Sequence, residues 1–74
     1  VKYGKSVLDL KEELPSDDYE YFVWGAVRAG YESGKYAFSA EIAVKSGCAS
    51  ALDLAKVYAE QDADYAAELN KYLG

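Results

Sequence analysis

Residues 51–73 repeat every seven positions, and that period sets the strongest limit on what this chain can become. Leu52, Ala59, Ala66 and Leu73 share one edge of the repeat, and Ala51, Tyr58, Tyr65 and Tyr72 share its neighbour. A helix gathers these residues into one apolar face, whereas a strand would scatter them over both of its sides. Ala55, Asp62 and Leu69 fall on the same face. An aspartate in the middle of that face conflicts with burial, because an unpaired carboxylate taken out of water is costly. The sequence therefore predicts a break near Gln61, with Asp62 capping a new helix that starts at Ala63. An unbroken helix with Asp62 at a rim or subunit boundary is one alternative, and a functional buried acid is another.

Glycine, proline and serine punctuate the rest. Residues 1–5 (VKYGK) read as an arm with Gly4 as a hinge, and residues 6–14 (SVLDLKEEL) as a short helix capped by Ser6 and stopped before Pro15. A short strand competes there, since Val7 and Leu8 suit either period. Ser16 then reads as the N-cap of a second helix, with Asp17 and Asp18 in its positive first turn and Gly34 as its left-handed stop. Residues 35–47 give a third helix, with Phe38, Ile42 and Ala43 on one side, Lys45 in the last turn and Gly47 closing it. Ser50 is expected to cap the fourth helical stretch, with Asp53 three residues on. Hairpin turn pairs are absent and polar/apolar alternation is scarce. The expected fold is all-α, a compact bundle of four or five short helices. With 74 residues it forms a single domain over 1–74, near the lower limit for a self-sufficient core.

The second helix carries aromatic residues on two sides. Tyr19, Phe22, Val23, Ala26, Val27 and Gly30 cluster within one arc, its expected core face. Tyr21, Trp24, Arg28 and Tyr31 form a row roughly opposite, at spacings of three, four and three. One explanation is a central rod buried on both sides, with Tyr21 and Trp24 in the core and Arg28 laid over the indole. The other is a partner-binding patch, since Tyr, Trp and Arg are the residue types that dominate interface energy. Eight tyrosines against two phenylalanines favour half-exposed surfaces, and with them the patch.

Catalytic chemistry finds little support. The chain has no histidine and a single cysteine, Cys48, which excludes Ser-His and Cys-His nucleophiles, an internal disulfide and a conventional zinc set. Carboxylate pairs such as Asp17/Asp18 and Asp62/Asp64 are accounted for by capping and the helix dipole. Asp62-x-Asp64-x-x-x-Glu68 lacks the glycine and the closing glutamate of a calcium loop. No phosphate-cradling glycine loop occurs. The expectation is a protein that is not an enzyme and takes no metal or other cofactor.

Charge sharpens the choice of partner. Thirteen acidic residues against eight basic ones leave a net charge of −5. The acids gather in two clusters, one of Glu12, Glu13, Asp17, Asp18 and Glu20, the other of Glu60, Asp62, Asp64 and Glu68. Ordinary solubility is one explanation of such a surface; it also repels nucleic acid and anionic membranes and attracts basic partners weakly and in a salt-dependent way. Residues 40–58 have the length of a helix-turn-helix, but its second helix would offer DNA only Lys56 beside Asp53. No apolar run approaches the roughly 18 residues that cross a bilayer, and no signal peptide is evident. The expectation is a small acidic interaction module of adaptor or inhibitor type, engaging a partner protein through Tyr21, Trp24, Arg28 and Tyr31. A second reading is an acidic mimic of nucleic acid, presenting both clusters to the basic groove of a nuclease or regulator. A third is a structural subunit of a larger assembly, with self-association as a further arrangement.

Overall fold

Two glycines in left-handed backbone, Gly34 (φ +77°) and Gly47 (φ +75°), cut the helical chain where the sequence places its stops. The computed structural model describes residues 10–73. Among these residues a 3₁₀ turn at Leu10–Glu12 precedes four α-helices: α1 (Ser16–Glu32), α2 (Tyr36–Lys45), α3 (Ala49–Gln61) and α4 (Ala63–Leu73). The all-α bundle expected from the sequence is what forms. The arm at 1–5 and most of the helix expected over 6–14 lie outside the described residues. The described part of that stretch is the 3₁₀ turn, and Pro15, which disfavours a helical conformation at Leu14, keeps it from running on into α1.

Helix α1 ends in a Schellman motif: the Lys35 N–H donates to the Gly30 carbonyl (2.8 Å) and the Gly34 N–H to that of Tyr31 (3.1 Å). The two expected serine caps are corrected. Ser16 is the first residue of α1 and caps nothing; Pro15 (φ −54°, ψ 149°) takes the cap position, and its carbonyl accepts the Tyr19 N–H at 2.9 Å. Ser50 lies inside the first turn of α3, because the turn at Gly47 leaves Cys48 extended, and the Cys48 carbonyl accepts the first helical hydrogen bond from Leu52 at 3.0 Å. The break at Asp62 is present: the residue is extended (φ −141°, ψ 109°), and its Oδ1 accepts the N–H groups of Asp64 (3.0 Å) and Tyr65 (3.3 Å) at the start of α4.

The core is assembled from all four helices. Tyr19, Val23 and Val27 of α1, Ala40, Ile42 and Ala43 of α2, Ala51 and Ala55 of α3, and Tyr65 and Leu69 of α4 are buried together with Cys48. Helix α1 packs against α2 and α3, and α2 against α4. Gly30 has the least room of the described glycines: a Cβ there would meet Phe38 Cδ2 and Ser39 Cβ at 2.9 Å and the Ser39 Cα at 3.3 Å. Beside it, Ser39 Oγ donates to the Val27 carbonyl at 2.7 Å, tying α2 to α1.

This crossing sets the rotation of α1, and the rotation corrects one core assignment. Tyr19, Val23, Val27 and Gly30 are buried as expected, but Phe22 is 45% exposed. With α2 held tightly at the Gly30 end, Phe22 stands two turns away and lines an open groove with Phe38.

The crossing predicts opposite outcomes for two glycines of one helix. Gly30→Ala should lower stability by about 1–3 kcal/mol, since one methyl group must displace backbone-proximal atoms of α2. Gly25→Ala meets nothing within 4 Å and should raise stability by up to about 1 kcal/mol through helix propensity alone. Urea unfolding of both variants checks the pair.

Candidate functional site

Four tyrosines, one from each helix, meet where α1 ends and α4 begins. Tyr31 (α1) stacks on Tyr58 (α3) with ring centroids 3.9 Å apart and planes within 9°. Its other face turns to Tyr36 (α2) at 5.3 Å and 14°. Tyr65 (α4), fully buried, stands steeply to all three rings at 5.4, 5.5 and 5.6 Å. These stacked and edge-to-face arrangements are the ones that the ring quadrupole favours. The Tyr65 hydroxyl lies 2.8 Å from Ser39 Oγ. Because the single Ser39 hydroxyl hydrogen goes to the Val27 carbonyl, Tyr65 donates and Ser39 accepts.

The rim of this cluster is a hydrogen-bonded clasp. Tyr36 donates its hydroxyl to Asp62 Oδ2 at 2.7 Å, so the carboxylate that caps α4 also holds the first residue of α2. The bond to Asp62 pushes the Tyr36 phenol up to about 12, with desolvation adding to it. The same bond, helped by the two backbone N–H donors, holds the Asp62 carboxyl below its ordinary value of 3.8, while desolvation opposes it. Burial raises the Tyr65 phenol as well.

The row expected from the sequence is thereby divided. Tyr21 is 80% exposed. Trp24 is half-buried, with the exposed Arg28 guanidinium 5.9 Å from the centre of its ring and Arg28 Nε donating to Glu32 at 3.3 Å. Tyr31, by contrast, lies between Tyr36 and Tyr58, its two ring faces taken up by tertiary packing. Phe22, placed in the core by sequence periodicity, joins the exposed aromatic residues instead. Its signal is a phenylalanine four residues after Asp18 and one after Tyr21, at the margin of the apolar arc.

The groove beside Phe22 runs along α1 to the start of α2. It has a volume of about 390 Å³, with Ala26, Ala29, Gly30 and Phe38 on its walls and Ser33 and Lys35 at its far end. The acidic residues fare unequally. Asp17, Asp18, Glu60 and Asp64 are exposed and Glu20 is half-buried. Asp62 is engaged by Tyr36 and the α4 cap, and Glu68 pairs with Lys71 at 3.1 Å. Cys48 is a buried free thiol, and Tyr19 buries its hydroxyl without a hydrogen-bond partner among the described residues. Among the described residues no group of three or more Cys, Asp or Glu side chains is placed to hold a metal ion, and no helix is long and apolar enough to cross a membrane.

The clasp makes stability depend on pH at both extremes. Asp62 has a lowered folded-state pKa, so its contribution is present above 3.8 and is lost as pH falls below that value. Tyr36 has a raised one, so its contribution is complete below 10.0 and is lost as pH rises from there to about 12. Urea midpoints measured across pH should fall in both windows, and Tyr36→Phe should flatten both slopes. In the core, Ser39→Ala strands the Tyr65 hydroxyl and should cost about 1–3 kcal/mol, whereas Tyr65→Phe leaves the Ser39–Val27 bond intact and should cost nearer 1 kcal/mol.

Compared with models of protein families, with curated proteins and with solved structures, the chain gives no match.

Proposed function

We propose that this chain is a small protein-interaction module whose working surface is the outer half of α1. The observation that carries the reading is Tyr21, 80% exposed on a helix whose opposite side supplies the core. Folding gives no account of a large aromatic left in water at that position. Beside it stand the half-buried Trp24 and the Arg28 guanidinium near the indole ring. Trp, Tyr and Arg are enriched among the few residues that dominate binding energy, and a partly covered ring loses little freedom when a partner seals it. Asp17 and Asp18 border the surface, so the favoured partner is a protein with an apolar patch edged by basic residues.

The mimic reading needs both acidic clusters free. Asp62 is committed to Tyr36 and the α4 cap, and Glu68 to Lys71. That leaves the first cluster, Glu12, Glu13, Asp17, Asp18 and Glu20, but only Glu60 and Asp64 of the second, which is halved as an imitation of a phosphate backbone. The aromatic surface is therefore preferred.

The test is capture of binding proteins from the cells that make this chain, with the intact protein and single-site variants as bait. Tyr21→Ala alters an exposed side chain and should leave the free energy of unfolding within about 0.5 kcal/mol of the parent. It should weaken the captured partner by about tenfold or more, the range of an interface hot spot. Val57→Ala, an exposed apolar side chain on another helix, α3, should bind as the parent does. Undiminished binding by Tyr21→Ala, or binding that collapses between low and moderate salt, overturns the proposal, and the second result favours the mimic.

A further inference from the structure

The groove along α1 has a shape and a charge pattern of its own, distinct from the Tyr21–Trp24–Arg28 flank. Its apolar walls are Ala26, Ala29, Gly30 and Phe38. Phe22 both lines its near end and projects from it, 45% exposed. The two ends carry opposite charge. Asp18 lies one helical turn before Phe22 on the same side of α1, and Lys35 closes the other end. Both are exposed, and neither forms an ion pair among the described residues, where the pairs are Arg28–Glu32, Lys45–Glu41 and Lys71–Glu68.

We propose that this groove seats a second copy of the same chain, the two α1 helices packing antiparallel about a twofold axis beside Ala26. A surface with a knob and a hollow on one strip, acidic at one end and basic at the other, complements itself once it is turned end over end. A register centred beside Ala26 sets Asp18 of each copy against Lys35 of the other, and Phe22 over the Gly30–Ser33 portion of the facing groove. Every contact then occurs twice, as an isologous interface requires. Antiparallel packing also sets the positive end of each helix dipole beside the negative end of its neighbour. The strip of α1 from Asp18 to Ser33, which contains the groove wall, is about 22 Å long. A helix pair of that length sits at the small end of specific interfaces, the size class of weak and transient association. The axis leaves Trp24 and Arg28 on the outer flank, so the dimer would present two aromatic surfaces and could engage a paired target with avidity.

Sedimentation equilibrium of the full chain, with exchanged charges, tests the arrangement. The parent should pass from monomer to dimer between about 1 µM and 1 mM. Asp18→Lys and Lys35→Glu, each alone, bring like charges together at both ends of the interface and should weaken dimerisation at least about tenfold. An equimolar mixture of the two variants should recover the dimer, because in the mixed pair both end contacts join opposite charges. Helical circular dichroism of each variant shows that the fold is kept. A parent that stays monomeric throughout, single variants that dimerise as the parent does, or a mixture that stays monomeric would overturn the proposal. Trp24→Phe should leave the dimer intact, so failure of the aromatic-surface reading and failure of this one are read from different variants.

Discussion

Tyr65 is the residue on which the rest of the structure leans. It is wholly buried, it meets Tyr31, Tyr36 and Tyr58 ring against ring, and through its hydroxyl it reaches Ser39 and, beyond it, the Val27 carbonyl of α1. One side chain from α4 thus touches groups of the other three helices. A chain this short, with alanine and valine filling much of its core, gains more buried area from one aromatic ring than from any one of those small side chains. The phenol can be buried because Ser39 satisfies it. Where the chain buries a second phenol, at Tyr19, no such partner is present among the described residues.

Five of the tyrosines divide into two kinds of work, and the division follows from helix geometry. Tyr31, Tyr36, Tyr58 and Tyr65 stand at the end of the bundle where the four helices converge, and their rings cover one another. Tyr21 stands on the side of α1 away from the core and remains in water. Residue type alone does not separate the two groups, since the same amphipathic side chain suits a half-covered core and an interface alike. What separates them is the crossing at Gly30, which turns α1 so that Val23 and Val27 point inward while Tyr21 and Phe22 are left at the surface.

Several features were legible because a local cost dictated them. Asp62 interrupts an apolar stripe, and the price of hiding a bare carboxylate there is enough to foresee the break and its cap. Gly34 and Gly47 mark helix ends because few other residues adopt their backbone. The failures came where a neighbouring element decided. Ser16 and Ser50 have the chemistry of caps, yet Pro15 and the Gly47 turn place the cap one and two residues earlier. Phe22 and Tyr31 were exchanged between surface and interior, since their fate depends on where α2 and α3 cross α1, and periodicity within one helix carries no record of that. For the candidate site, Tyr21, Trp24 and Arg28 were readable as a row, while Phe22 and the adjoining groove emerge only from the packing of two helices.

The extended residue at Asp62 has a consequence for the dimensions of the molecule. Run without interruption, residues 49–73 would make a rod of about 37 Å, longer than the greatest extent of the described chain at 34 Å. Its far end would project past the bundle as a greasy spike bearing Leu69, Tyr72 and Leu73. One aspartate in the corner re-aims the closing eleven residues across α2 and so converts a protruding tail into the last wall of the interior.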